Sequence, residues 1–125
     1  QEQLDKIKAS LNDFIRVKGV DMVAIVDNAG FARASFFNEK KEPVLDITNL
    51  MNFIPTGVEY FQKVNNEIKG GGMKLFTLEF SDRTLVMVQI PNRLEWLLMV
   101  CEGEVNLGGL RFAIKKQVPT LSEVL

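Results

Sequence analysis

The longest apolar pattern in the chain runs from Asp46 to Lys69 and has helical periodicity. A helix turns by about 100° per residue, so residues at this spacing share one line along its surface. The line expected to contact a sheet comprises Ile47, Met51, Ile54, Val58 and Phe61. A second line, roughly 100° further round the helix, comprises Leu50, Phe53, Tyr60 and Val64. One sheet requires an apolar stripe about 100° wide, and this helix has about twice that. We therefore expect the second line to pack against a second copy of the protein.

The same helix has a polar arc and clear breaking signals. The arc, which a dimer would leave in water, comprises Asn52, Thr56, Glu59, Lys63 and Asn66. Asp46 or Thr48 is the expected N-cap. Pro55 lacks an N–H, so we expect a kink or break one turn upstream, within one bent element. The triplet Gly70-Gly71-Gly72 predicts the end of the helix through residues with positive φ.

The flanking patterns predict two further helices and five strands. Apolar residues from Leu4 to Ile15 recur at helical spacing and predict a first helix that ends near Gly19. Asn106 is the expected cap of a last helix through Gln117, which Val118-Pro119 ends, with a loosely packed tail at Thr120–Leu125. A charged loop is predicted at Asn38–Pro43. The predicted strands are Val20–Asp27, Phe31–Phe37, Met73–Phe80, Thr84–Ile90 and Glu95–Cys101.

The resulting order is α-β-β-α-β-β-β-α, which predicts a layered α/β (α+β) domain. In Thr84–Ile90 and Glu95–Cys101 both alternating sets of side chains are apolar, as in strands that helices cover on both faces. Phe31–Phe37 is more polar, which favours a sheet edge. We expect one domain over residues 1–125. It would have a five-stranded antiparallel sheet with the long helix on one face and the terminal helices on the other.

Composition argues against several classes of function. The net charge of -1 argues against nucleic acid as the main partner, because phosphate neutralisation needs a basic surface. The chain has no histidine and one cysteine, so histidine-based catalysis and zinc sites have no ligands. We expect no catalytic residue, no metal and no cofactor. No apolar run reaches the length of about 18 residues that a membrane span requires.

The single cysteine bears on the cellular compartment. Cys101 ends the apolar run Leu98-Met99-Val100 and is predicted to lie in a buried strand. One cysteine excludes an internal disulfide and suits a reducing compartment. The start Gln1-Glu2-Gln3 is neither basic nor apolar, unlike a secretory signal. We therefore expect a cytoplasmic protein.

Three segments resemble the roadblock family, named for the roadblock dynein light chains, and most closely its prokaryotic branch. Residues 19–30, Gly-Val-Asp-Met-Val-Ala-Ile-Val-Asp-Asn-Ala-Gly, resemble the family's strand-turn-strand opening. Residues 97–100 and 106–111 resemble its closing strand and helix, and the resemblance spans about Leu4 to Gln117. It implies a profilin-like α/β/α sandwich that dimerises through the second helix and the following edge strand. On that strand the implied interface residues are Met73, Leu75, Thr77 and Glu79.

The resemblance also implies a role. Roadblock proteins are non-catalytic dimers that bind Ras-like small GTPases and alter their nucleotide cycle or location. The expectation is a homodimeric scaffold or regulator of a small GTPase, which would bind at the polar arc of the long helix. Two alternatives stay open: a small-molecule sensor domain, which would need polar groups pointing into the core, and a pure assembly subunit without GTPase contact.

Overall fold

The structure, a computed structural model, describes residues 1–38 and 45–125. Apart from Asn38, the loop expected at Asn38–Pro43 therefore lies outside the described residues. The helices are α1 (Glu2–Ile15), α2 (Ile47–Leu50), α3 (Ile54–Ile68) and α4 (Leu107–Val124). The strands are β1 (Val20–Val26), β2 (Ala32–Phe37), β3 (Leu75–Glu79), β4 (Arg83–Gln89) and β5 (Trp96–Glu102).

The five strands form one antiparallel sheet in the order β2-β1-β5-β4-β3. Strand β1, next to the central strand β5, is buried along its whole length. Its partner β5 is buried except at Glu102. Strands that are apolar on both alternating sets are those that need cover on both faces, so they take the centre. The two edges are β2, as its polarity predicts, and β3.

Helices cover both faces of this sheet. On one face, α1 and α4 pack against a core that includes Val23, Leu97 and Met99. On the other face, Met51 and Ile54 pack against a core that includes Leu98. The predicted sandwich, with the middle helical segment on one face and the terminal helices on the other, is confirmed.

The middle helical segment is interrupted just upstream of Pro55, where the sequence predicts a kink or break. Residues 51–53 form a turn between α2 and α3, and Pro55 lies in the first turn of α3. An N–H would have no intrahelical partner there, so its absence costs nothing. The Asp46 carboxylate accepts a hydrogen bond from the Thr48 N–H at 2.9 Å. This identifies Asp46 as the N-cap of α2.

The end of α3 differs in detail from the glycine prediction. Lys69, not a glycine, is the first residue with a left-handed backbone, at φ 55°. Gly71 and Gly72 follow at φ 85° and 141°, where a side chain would be strained. The Asn65 Oδ1 accepts a hydrogen bond from the Gly72 N–H at 2.9 Å. This bond ties the turn that leads into β3 to the last turns of the helix.

The prediction that the last helix ends at Gln117 is wrong, because α4 continues through Pro119 to Val124. A proline inside a helix costs up to about 3 kcal/mol. Burial offsets this cost, since Leu121 is 0% exposed and belongs to the core beneath α1 and α4. The Ser122 hydroxyl also donates to the Pro91 carbonyl at 2.7 Å. The expected loosely packed tail is therefore wrong too, whereas the cap is confirmed: the Asn106 Oδ1 accepts from the Gly109 N–H at 3.0 Å.

Leu121→Ala tests whether the last turns of α4 belong to the core. We expect it to lower the free energy of unfolding by about 2–5 kcal/mol, because it removes a fully buried side chain and leaves a cavity. Glu123→Ala, on the exposed side of the same turn, should change it by less than about 0.5 kcal/mol. Urea unfolding followed by circular dichroism measures both. Equal midpoints for the two variants would contradict the packing of this segment.

Candidate protein-protein interface

The outer surface of α3 carries an apolar stripe that nothing in the described chain covers. The α3 stripe comprises Phe53, Tyr60, Val64 and Ile68, which recur at helical spacing. Phe53 is 75% exposed and Ile68 is 72% exposed. Soluble single chains seldom leave contiguous apolar surface in water unless it binds something. Phe53, Tyr60 and Val64 of the surplus line predicted from the sequence are therefore exposed to solvent, whereas Leu50 packs in part against the core of the chain itself.

An open groove of about 380 Å³ lies beside the stripe, between α3 and the β3 side of the sheet. Ile54, Val58 and Phe61 form its helix wall, and the Phe61 and Phe76 rings meet with their centroids 5.2 Å apart. Leu78 and Phe80 form the opposite wall. Among the described residues that line it, only Thr84 carries a polar side-chain atom. Such a groove suits large apolar groups from a second protein surface.

Gly57 lies in α3 at the wall of this groove. A Cβ built on Gly57 would meet nothing within 4 Å, so packing within the described chain does not require a glycine there. Glycine inside a helix costs about 1 kcal/mol relative to alanine. Because it carries no side chain, it leaves room for the close approach of another molecule.

The edge strand β3 adds a second uncovered feature. Among the described residues it has a hydrogen-bonded neighbour on one side only, β4. An edge of this kind presents free backbone N–H and C=O groups that can pair with another strand. The groove and the β3 edge lie on the same side of the molecule, so one partner can cover both.

The interface residues predicted from the sequence surround this edge, but on both faces of the sheet. Leu75, Thr77 and Glu79 pair across the ladder with Val88, Val86 and Thr84, and Val86 and Val88 point toward α1 and α4. Those three residues therefore point away from α3. Leu50, by contrast, lines the groove together with Phe53, and Met73 is half-buried just before β3.

Sequence reasoning missed the members of β3 that do face α3. These are Phe76 and Leu78, which pair with Met87 and Leu85, and Phe80 continues their alternation just beyond the strand. Phe80 is exposed, as is Ile68 at the end of the stripe. The signal was available, because Phe76, Leu78 and Phe80 alternate as an unbroken apolar set.

The polar arc lies next to the stripe along the same helix. Its five residues are all exposed: Asn52, Thr56, Glu59, Lys63 and Asn66. The Lys63 ammonium lies 5.1 Å from the centre of the Tyr60 ring, a cation–π contact that joins the arc to the stripe. α3 thus presents a side-by-side apolar and polar surface.

Cys101, the one cysteine of the chain, is buried in β5. Burial, with a smaller contribution from Asp21, raises the pKa of the Cys101 thiol to about 12, so it stays protonated at neutral pH and is a poor nucleophile. Within residues 1–38 and 45–125, no three histidine, cysteine, aspartate or glutamate side chains are grouped so as to hold a metal ion. Over the same residues, no helix combines the length and apolar character needed to cross a membrane.

Comparison of the sequence with protein-family models and with curated proteins gives no match. Comparison of the fold with solved structures gives several matches. The gliding protein MglB from Thermus thermophilus superposes with a TM-score of 0.89 at 13% identity, covering 99% of this chain and 91% of that one. Myxococcus xanthus MglB gives a TM-score of 0.77 at 22% identity, covering 95% and 94%.

A Roadblock/LC7 domain from Streptomyces avermitilis gives a TM-score of 0.73 at 11% identity, with 90% of each chain covered. At these identities the likeness concerns the fold. Each match spans nearly the whole of both chains, so it includes both helical layers and the sheet. The chain has the roadblock fold.

Proposed function

We propose that the protein is a homodimeric scaffold or regulator of a Ras-like small GTPase. The observation that carries the proposal is the α3 stripe, an apolar surface that no described part of the chain covers. The roadblock fold supports it, because the sequence resemblance to that family implies dimers that act on GTPases.

The position of the uncovered features supports a homodimer. Two β3 strands paired antiparallel about a two-fold axis would join two five-stranded sheets into one and remove both free edges. The same axis would bring two α3 stripes together, because α3 lies beside β3 on one face. A two-fold interface is self-complementary, so one apolar patch serves both protomers. The room above Gly57 would accept a side chain of the partner's stripe.

The GTPase-binding step rests on what the dimer leaves in water. The polar arcs of two α3 helices would lie side by side as one continuous surface. It contains both signs of charge, Glu59 and Lys63, together with amide groups, as in the polar parts of transient interfaces. A surface of this kind alters a nucleotide cycle by binding one conformation of the GTPase switch loops more tightly than the other. No catalytic group on this chain is needed.

Val64→Asp tests the homodimer. Val64 is 54% exposed in the single chain, so the fold should tolerate aspartate, whereas a dimer would have to bury an unpaired charge. We expect a folded monomer by sedimentation velocity and circular dichroism. Asn66→Asp, which adds the same charge on the polar arc, should leave the dimer intact. A dimer that persists in Val64→Asp with unchanged stability would contradict the assigned face.

Gly57→Ala separates the needs of the helix from those of the interface. In the monomeric Val64→Asp background it should raise the free energy of unfolding by up to about 1 kcal/mol, because alanine favours the helix. In the otherwise unaltered chain it should weaken dimerisation, about ten-fold or more in the dissociation constant measured by sedimentation equilibrium. Thr56→Ala, one residue away on the polar arc, should leave dimerisation unchanged. A Gly57→Ala dimer of undiminished affinity would show that the space above Gly57 is not used.

Binding of a GTPase is tested with the Ras-like proteins encoded near its gene, each loaded with GDP or a GTP analogue. We expect binding that depends on the nucleotide, and a change in exchange or hydrolysis rate. The double variant Glu59→Lys and Lys63→Glu keeps the net charge and should weaken binding about ten-fold while the dimer persists. If an intact dimer binds none of them in either state, the protein is an assembly subunit and the GTPase proposal fails.

A further inference from the structure

A second groove lies on the opposite face of the sheet, with a volume of about 760 Å³. The edge strand β3 and the end of β4 form its floor through Leu75 and Val88, and α4 forms one wall. Ile68 at the end of α3 and Met73 in the turn before β3 close it. Leu75, which points to this face, remains 39% exposed. We name this the α4–β3 groove; it arises because α4 does not reach over the edge strand.

One side of α4 is built to face this groove. Arg111, Ile114, Lys115 and Val118 recur at the i, i+3, i+4 and i+7 positions that share one helix face, and all four line the groove. Leu110, Ala113 and Leu121 lie on the neighbouring face and enter the core. Val118 also belongs to that core and Ile114 packs against it, so the cations Arg111 and Lys115 border an apolar strip of α4 that continues from the core to the groove.

The charge of the groove is one-sided. Lys74, Arg111 and Lys115 line it, and no aspartate or glutamate does so among the described residues. Within residues 1–38 and 45–125, the ion pairs that form do not involve any of these three cations. The chain as a whole carries a net charge of -1, so the local positive charge does not reflect overall composition. An apolar floor between such cations is complementary to acidic residues interspersed with apolar ones.

We propose that the α4–β3 groove binds an acidic, amphipathic segment of a partner protein. Its apolar side chains would cover Leu75 and Val88, and its carboxylates would meet Lys115, Arg111 and Lys74. A concave floor of this kind is reached by a narrow extended or helical segment, whereas a flat bilayer would touch only the rim. The floor of the groove and its α4 wall lie across the sheet from the α3 stripe, and the two surfaces share only Ile68. This proposal therefore does not depend on the GTPase role.

The test begins with selection of peptides from a random phage-displayed library on the folded protein. We expect enrichment of sequences that combine aspartate or glutamate with leucine, isoleucine or phenylalanine. A labelled synthetic copy of a selected peptide is then titrated by fluorescence anisotropy. Lys115→Glu should weaken its binding about ten-fold or more, and added salt should weaken it as well. Lys116→Glu, the adjacent exposed residue that does not line the groove, should leave the affinity unchanged.

Arg111→Gln and Lys74→Gln, which remove one charge each without reversing it, provide a second pair of variants with smaller losses in the same direction. Selected peptides without acidic residues, or equal effects of Lys115→Glu and Lys116→Glu, would overturn the proposal. Binding to phosphatidylserine vesicles that Lys115→Glu abolishes would assign the groove to a membrane instead. A change of oligomeric state in Lys115→Glu alone would assign it to a second copy of this chain.

Discussion

The width of the sheet relative to its helical cover is the constraint on which the rest of the structure depends. Five strands at about 4.8 Å spacing are about 19 Å wide, and a helix with its side chains is about 10 Å across. Two helices, α1 and α4, can cover most of one face, but α3 alone cannot cover the other. The central strands β1 and β5 receive cover on both faces. The strand that lacks full helical cover is β3, and both grooves lie beside it.

That incomplete cover agrees with the proposal that the apolar excess of the middle helical segment binds a partner. A protein that stays monomeric could have a narrower sheet, or polar residues in place of Phe53 and Ile68. Such replacements would cost its own fold little, because both side chains are largely in water. Glycine at position 57 is likewise unhelpful to an isolated helix. Phe53, Ile68 and Gly57 therefore favour association over the stability of the monomer. A second copy would supply the missing layer and pair the free edge at the same time.

Much of this architecture could be predicted because its signals are local. Alternating apolar residues mark the strands, Pro55 marks the break before α3, and Asn106 caps α4. The errors have non-local causes. Leu121 enters the core formed with α1, and this burial carries α4 past Pro119. The direction in which Leu75 points depends on its register with Val88, which periodicity within β3 cannot fix. The family resemblance therefore indicated the edge strand but not which of its side chains face α3.

The two surfaces beside β3 differ in chemistry, and this difference has a consequence for specificity. The groove next to α3 is almost wholly apolar and adjoins a polar arc that carries both Glu59 and Lys63. The α4–β3 groove has an apolar floor but only cations around it. Charge complementarity governs which partner associates more than how tightly it holds. A self-complementary apolar patch suits an identical copy, since like charges would otherwise face one another across the two-fold axis. For the same reason, the cationic groove disfavours a second copy and favours an acidic chain. The edge strand β3 thus borders two chemically different surfaces, and Ile68 belongs both to the α3 stripe and to the lining of the α4–β3 groove.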